Sequence, residues 1–181
     1  MRHPLEAIPV GRRRYVFLPL LALTLAVLAA LGEIDKPLRT AAAPLGIVSF
    51  EVAGDVARAR AMIASWIGTA PLYAALSLGV DYLFMVAYST TIALGCLWAA
   101  GVLGGGLGAL ARPLAWGQWV AAVLDAVENW ALARMLLGDV AEPWPQVAWW
   151  CAVPKFVLVY AGILYALAAA VVRLARRRAR E

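Results

Sequence analysis

Four long apolar runs, separated by short polar stretches, dominate the pattern of hydrophobic and polar positions along the chain. Their lengths are close to or above the roughly 20 residues that a helix needs to cross a bilayer. The pattern therefore predicts four membrane-spanning helices, at approximately residues 15–31, 76–103, 114–137 and 148–172. We expect an all-α fold, an integral membrane four-helix bundle that forms a single domain over residues 1–181.

The first run has a second interpretation, because secretory signal peptides also combine a basic start with an apolar stretch. The run is long for a signal peptide, and its end at residues 29–33 (AALGE) is a poor cleavage signal. We therefore favour a retained helix. Pro19 lies near the predicted start of this helix, where proline is tolerated.

A short amphipathic helix is predicted at approximately residues 55–67, in the first outer loop. Asp55 follows a glycine and is able to cap the free N–H groups of a helix start. Apolar residues then recur at helical spacing: Val56, Ala59, Met62, Ile63, Trp66 and Ile67. Such a helix lies on the outer membrane surface or packs as a lid over the bundle, and the sequence leaves both open.

The distribution of charge predicts the topology. The net charge is +5, and two arginine clusters flank the first and last runs: Arg2, Arg12, Arg13 and Arg14, and Arg173, Arg176, Arg177, Arg178 and Arg180. Because basic residues concentrate on the cytoplasmic side of membrane helices, four spans place both termini in the cytoplasm. The predicted outer loops hold six acids (Glu33, Asp35, Glu51, Asp55, Asp139, Glu142) but also Lys36, Arg39, Arg58 and Arg60. We expect a multi-pass protein of the cell membrane whose basic ends meet lipid headgroups, not nucleic acid.

Cysteine and histidine usage excludes several kinds of site. Cys96 and Cys151 are predicted at opposite faces of the membrane, whereas a disulfide needs Cα atoms within about 7 Å. His3, in the N-terminal tail, is the only histidine, which excludes bis-histidine haem ligation in the bilayer and weakens any zinc proposal. We expect no metal and no cofactor.

Polar residues inside the predicted spans are the sharpest feature. Asp125, Glu128 and Asn129 have i, i+3 and i+4 spacing, so they share one face of the third span. Asp81 and Tyr88 share a face of the second span, and Lys155 enters with the fourth. We predict a polar chamber in the outer half of the bundle, and its candidate ligand-binding or polar-network residues are Asp81, Tyr88, Asp125, Glu128, Asn129 and Lys155.

The charges of this set do not balance, because three carboxylates face one lysine. Charges in a bilayer cost several kcal/mol unless they are paired or hydrated. Either one carboxyl group is protonated at neutral pH, or a cation or Arg134 supplies the difference. A proton relay or an acid–base site needs such an imbalance. Interhelical hydrogen bonds that hold short helices together explain the same residues, and the sequence leaves the choice open.

Several short motifs resemble a family of uncharacterised small bacterial four-span membrane proteins. They are Phe50-Glu51, Trp66, Asp81-Tyr82-Leu83-Phe84 with Tyr88, Asp125-Ala126-Val127-Glu128-Asn129, and Lys155-Phe156. The resemblance covers residues 47 to 165 and implies the same topology, in a bacterial inner membrane. It implies no activity, cofactor or catalytic residue.

Three functions follow as hypotheses. The first is binding of a lipid or small amphipathic molecule in the polar chamber, with the amphipathic helix as a lid. The second is an accessory subunit of a larger membrane complex. The third is a membrane enzyme with Glu128 or Asp81 as the acid–base group and Lys155 as its electrostatic partner. The expected partners are membrane lipids, together with a membrane-protein partner or a second copy of the chain.

Overall fold

A computed structural model describes residues 2–179 of the chain. In these residues the fold is all-α, with 83% of them helical and none in a strand. The helices are α1 (Arg13–Asp35), α2 (Ile47–Glu51), α3 (Val56–Ser65), α4 (Ala70–Leu103), α5 (Gly105–Ala109), α6 (Ala111–Leu136) and α7 (Trp144–Arg178). Short 3-10 turns occupy Pro4–Ala7, Val10–Arg12 and Lys36–Leu38. Arg180, a member of the C-terminal arginine cluster, lies outside the described residues.

Within the described residues, three helical stretches are long and apolar enough to cross a membrane. They are Val10–Leu38, Ala70–Leu103 and Trp144–Arg178, whose most apolar parts have mean hydropathies of 2.3, 1.6 and 2.1. The predicted third span is also a helix, α6, but it is not among the three. Its polar residues explain the difference, because Gln118, Asp125, Glu128, Asn129 and Arg134 all fall inside it.

The helices extend beyond the predicted spans at several ends. Asp35 is the last residue of α1, although the prediction ended the first span before the loop acids. α1 begins at Arg13, so Pro19 lies inside the helix and beyond its first turn, which corrects the sequence interpretation. α4 begins at Ala70 and α7 at Trp144, both before the predicted spans that start at residues 76 and 148. Pro145 is tolerated in the first turn of α7, because the N–H groups of that turn have no acceptor within the helix and proline lacks this group.

The chain divides into two compact units. The first unit is formed by the residues up to Thr24, by Ala87–Ala122 and by the described residues from Phe156 onwards. The second unit is formed by Leu25–Val86 and Val123–Lys155. Consequently α1, α4, α6 and α7 each contribute residues to both units.

In the core of the second unit, the segment between α1 and α4 packs against α6. Trp66 is buried, and its indole N–H donates to the carbonyl oxygen of Leu38 at 2.8 Å. Its ring packs edge-on against Phe50 of α2, at 5.2 Å between ring centroids. On α3, Ala59 and Met62 are buried in the same core as residues 131–135 of α6. α3 therefore packs against other helices of its unit. Asp55 caps it by accepting a hydrogen bond from Arg58 N at 2.8 Å.

The core of the first unit is built from small residues of three long helices. Its buried members are Ala93, Cys96, Leu97 and Ala99 of α4, Ala111 and Ala115 of α6, and Tyr165 and Ala169 of α7. Small side chains let helix backbones approach closely, which suits packing without a hydrophobic driving force between helices. Leu5 of the N-terminal segment packs against this core, so the residues before α1 are part of the fold.

Candidate functional site

The helical periodicity of α6 positions three polar side chains in the second unit. Asp125, Glu128 and Asn129 are all almost completely buried, and Glu128 has no exposed surface. A buried carboxylate is costly unless it is paired or hydrogen-bonded. The partners of these three residues therefore define the site.

Lys155 of α7 is the central partner. Its Nζ lies 3.0 Å from Asp125 Oδ1, and 2.9 Å from Oε1 and 2.8 Å from Oε2 of Glu128. The lysine side chain is only 7% exposed, so its charge is held among carboxyl groups and away from water. Its ammonium group carries three N–H donors, a number that matches the three carboxyl groups it contacts.

Glu51 supplies the third carboxyl group, and the candidate residues from the sequence did not include it. Its Oε2 lies 3.5 Å from Lys155 Nζ. Burial raises the pKa of Glu51, although the nearby Lys155 ammonium opposes the shift. Below, the lysine cluster denotes Lys155, Glu51, Asp125 and Glu128.

Two local features hold Glu51 in place at the end of the short helix α2. Asp35, at the end of α1, accepts a hydrogen bond from Ile47 N, the first residue of α2, at 2.7 Å. Gly46 precedes it with a φ of +59°, and a Cβ there would lie 2.0 Å from Asp35 Oδ1. Asp35 is buried and also contacts Arg39 at 3.0 Å, so it is a structural residue and not an exposed loop acid.

A second polar pair lies in the same unit. Asn129 Nδ2 of α6 donates to Asp81 Oδ2 of α4 at 2.7 Å. Together with the lysine cluster, this pair accounts for five of the six candidate residues from the sequence. These polar side chains come from α2, α4, α6 and α7. Their hydrogen bonds and ion pairs described here are with one another.

Tyr88 is buried and belongs to the first unit, and its role as a candidate residue stays a prediction. One sequence expectation is corrected. Arg134 does not supply the missing positive charge, because its NH2 group pairs with Asp139 at 2.6 Å. Its guanidinium also lies 5.3 Å from the centre of the Trp144 ring. Arg134 lies near the end of α6. Its hydrogen bond to Asp139 lowers the pKa of that carboxyl group.

The charges of the lysine cluster do not balance, because three carboxyl groups surround one ammonium group. A buried charge without a counter-ion is costly, so protonation of a carboxyl group or an additional cation would stabilise the cluster. Within residues 2–179, no group of three or more His, Cys, Asp or Glu side chains has a geometry that could hold a metal ion. Both cysteines are free.

The first unit contains an open cavity with a volume of about 570 Å³. Below it is called the arginine cavity. Its lining residues are Glu6, Val10, Arg13, Leu97, Trp98, Ala100, Gly101, Val102, Gly108, Ala109, Ala111, Arg112 and Arg173. The wall thus combines one large aromatic ring, several small apolar residues, three guanidinium groups and one carboxylate.

The three arginines of the cavity are held differently. Arg13 donates to the carbonyl oxygens of Ile8 and Leu97, both at 3.2 Å. Arg112 Nε donates to Glu6 Oε1 at 2.7 Å, and its NH2 group lies 3.5 Å from Oε2. The guanidinium carbon of Arg173 lies 5.7 Å from the centre of the Trp98 ring. No described residue accepts a hydrogen bond from Arg173.

The N-terminal segment is docked, which corrects the expectation of a tail. His3 is 1% exposed and packs against Trp116 and Trp119 of α6, at 4.8 and 4.5 Å between ring centroids. Its Nδ1 accepts a hydrogen bond from Leu5 N at 3.2 Å. Burial lowers the pKa of His3, so the ring is neutral at pH 7. This anchor holds Glu6 of the following 3-10 turn beside Arg112. In the sequence this contact leaves only a weak signal, the Trp116–Trp119 pair at helical spacing.

The comparisons with known proteins add no function. Neither a protein-family model, nor a curated protein, nor a solved structure matches this chain. What the chain does must therefore be inferred from its own geometry.

Proposed function

We propose that this protein is a multi-pass protein of a bacterial inner membrane, with four spans and both termini in the cytoplasm. α1, α4 and α7 are the three spans with sufficient length and hydropathy. The arginines support the orientation. Arg13 begins α1, Arg112 begins α6, and Arg173 to Arg178 end α7. Under four spans these ends face the same side, which the positive-inside rule assigns to the cytoplasm.

The proposal makes α6 the fourth span because of how its polar residues are distributed. Its 26 residues extend about 39 Å, more than the ~30 Å of a hydrocarbon core. Its buried face carries Asp125, Glu128 and Asn129, whose partners lie within the protein. Between Leu114 and Ala133, the exposed residues of α6 are all apolar: Val120, Val123, Val127 and Trp130. A helix with paired charges inside and an apolar outside is suited to lipid although its average hydropathy is low.

Single cysteines introduced at two exposed positions that flank α6 test this topology. Leu107 lies in the connection before α6 and Leu137 directly after it. In a background without Cys96 and Cys151, Leu137→Cys should react with a membrane-impermeant maleimide in spheroplasts, and Leu107→Cys only after permeabilisation. Equal labelling of both would mean that α6 does not cross the membrane. The reverse labelling would overturn the proposed orientation.

The function that the geometry supports best is binding of a lipid or another small amphipathic molecule. The arginine cavity carries this proposal. Its volume of about 570 Å³ falls within the range of ~300–1,000 Å³ that is usual for small-molecule sites. Trp98 and the small apolar residues offer contact to an apolar body, and the guanidinium groups offer contact to a polar head. Under the proposed topology the cavity opens at the cytoplasmic interface, where lipid headgroups lie.

The lysine cluster supports this function less well. Lys155 is surrounded by carboxyl groups of the protein, so a ligand would have to displace one of them. Such clusters hold helices together in the bilayer. We therefore move the ligand site from the predicted polar chamber to the arginine cavity and assign the cluster a structural role. The accessory-subunit and enzyme hypotheses stay predictions, because no contact in the described residues favours either.

Native mass spectrometry of the protein, extracted gently from its own membranes, tests the site. Wild-type protein should retain a bound lipid or small amphipathic molecule. Arg173→Gln should reduce the bound fraction several-fold, because Arg173 lines the cavity and bonds to no described acceptor. Asp81→Asn, a change in the second unit, should leave the bound fraction unchanged. Loss in Asp81→Asn but not in Arg173→Gln would return the ligand to the polar chamber. A protein without any bound small molecule would overturn the proposal.

A further inference from the structure

The charges around the arginine cavity point to the kind of head group that it accepts. Arg13, Arg112 and Arg173 line the cavity together with a single carboxylate, Glu6. At neutral pH three positive charges therefore face one negative charge. A neutral or cationic ligand would leave two guanidinium charges uncompensated, whereas an anion with several oxygens would pair with them.

The contact between Arg112 and Glu6 shows how the cavity holds an oxyanion. Both carboxylate oxygens of Glu6 face the guanidinium fork of Arg112, at 2.7 and 3.5 Å. The Arg112 hydrogen bond lowers the pKa of Glu6, so this carboxylate is ionised at neutral pH. Arginine binds carboxylate and phosphate oxygens in the same forked geometry. Glu6 thus occupies, from within the chain, the position of an anionic ligand.

Arg173, which lines the same cavity, has donors left for a second contact. Arg173 lies against the Trp98 ring, and none of the described residues accepts a hydrogen bond from it. A phosphate group has enough oxygens to bridge two guanidinium groups. Arg112 remains accessible, because its side chain is 53% exposed.

We propose that the arginine cavity binds a phosphate-bearing anion between Arg112 and Arg173, and that Glu6 competes with this anion for Arg112. The inference rests on the proposed function and adds the ligand class and an internal competitor. The buried His3 anchors the segment that carries Glu6, so the competitor stays at high local concentration. The phosphate belongs to an anionic lipid or to a soluble phosphate ester, since both present the same group.

The test measures binding of defined probes to the full-length protein in neutral detergent. The lipid probes are phosphatidic acid and phosphatidylcholine with identical acyl chains, followed by native mass spectrometry. Glu6→Gln should tighten binding of phosphatidic acid about fivefold, because it removes a partly exposed ionic competitor. Arg112→Gln and Arg173→Gln should each weaken it about tenfold, because each removes a charge-assisted hydrogen bond. Binding of phosphatidylcholine should change little in all three.

Matched variants in the second unit serve as controls. Glu33→Gln removes an exposed glutamate that pairs with Lys36, and Arg58→Gln removes an exposed arginine that pairs with Asp55. Neither should alter binding of phosphatidic acid. If Arg112→Gln does not fold, as judged by size-exclusion chromatography, Arg173→Gln and Glu6→Gln still decide the outcome.

Glycerol 3-phosphate identifies the source of the phosphate. Displacement of phosphatidic acid by this soluble ester supports the proposal for the phosphate group itself, and a lack of displacement supports it for a lipid. Unchanged binding in Glu6→Gln overturns the competition, and equal binding of both lipids with unchanged binding in Arg173→Gln overturns the phosphate site. In those two cases lipid binding, the proposed function, survives. Binding of neither lipid would overturn this inference, and a native protein without any bound small molecule would overturn the proposed function as well.

Discussion

Replacing Lys155 with methionine is expected to lower the free energy of unfolding by about 3–5 kcal/mol, the usual cost of removing one partner from a buried ion cluster. Lys155 is the only cation that contacts Glu51, Asp125 and Glu128 in the described structure. Methionine has a similar length and keeps the apolar stem packed, so the loss reports on the charge. The remaining carboxyl groups would then be buried without a counter-ion.

Unfolding in detergent micelles, followed by circular dichroism against denaturant, measures this effect. Lys36→Met is the matched control, because Lys36 pairs with Glu33 on the surface, where both side chains are more than 60% exposed. The control should change the free energy of unfolding by no more than about 1 kcal/mol. A Lys155→Met protein as stable as the control would mean that the cluster contributes nothing to stability, and that its structural role is wrong.

A compensating variant separates charge from packing. Glu128→Gln added to Lys155→Met removes the carboxyl group that lies nearest to the lysine. The double variant should be more stable than Lys155→Met alone, because replacement of both partners of a buried pair costs less than removal of one. If the two destabilisations simply add, the residues do not act as a pair.

The polar residues on regular helices could be predicted from the sequence, and the reason is local. The i, i+3 and i+4 spacing of Asp125, Glu128 and Asn129 fixes a common face wherever the chain is helical. Lys155 was recognisable because a lysine inside an apolar run needs a partner. These inferences required only helical periodicity and the cost of burying charge. Both can be applied directly to the spacing and the residue types of a sequence.

Glu51 could not be assigned to the cluster, because its position depends on contacts between distant residues. It lies 104 positions before Lys155 in the chain. The helix that carries it, α2, has five residues, too few to show a period. Asp35 and Gly46 hold α2 in place through one hydrogen bond and one close approach. Neither contact leaves a pattern in the sequence. Glu51 was therefore predicted only as one of the acids in an outer loop.

The arginine cavity could not be predicted from the sequence for a related reason. The positive-inside rule accounts for the arginines near the ends of membrane helices and says nothing about their mutual positions. Glu6 and Arg112 are 106 positions apart. The packing of His3 against Trp116 and Trp119 helps to bring them together, and the sequence does not single out this contact of one histidine with aromatic residues.

Replacing Gly162 with alanine is the change with the second-largest expected effect. Gly162 lies in α7 facing Gln118 of α6, and the missing side chain allows Gln118 to approach closely. A Cβ at Gly162 would lie 2.4 Å from Gln118 Nε2 and 2.7 Å from Ile92 Cγ2. Gln118 is fully buried, and its Nε2 donates to Leu158 O at 2.8 Å, so moving it costs a hydrogen bond. We expect the free energy of unfolding to fall by about 1–3 kcal/mol.

Gly79→Ala is the matched control, because the free energy of unfolding is not expected to fall in this variant. Gly79 is also inside a long helix, α4, but a Cβ there would meet nothing within 4 Å. Since alanine favours a helix over glycine by up to about 1 kcal/mol, Gly79→Ala should leave stability unchanged or raise it, while Gly162→Ala lowers it. The double variant Gly162→Ala, Gln118→Ala should lose less stability than the sum of the two single variants, because removal of the glutamine side chain makes room for the new methyl group. Equal effects of the two glycine replacements would show that α6 and α7 are not packed through Gln118 and Gly162, and that the first unit is held together elsewhere.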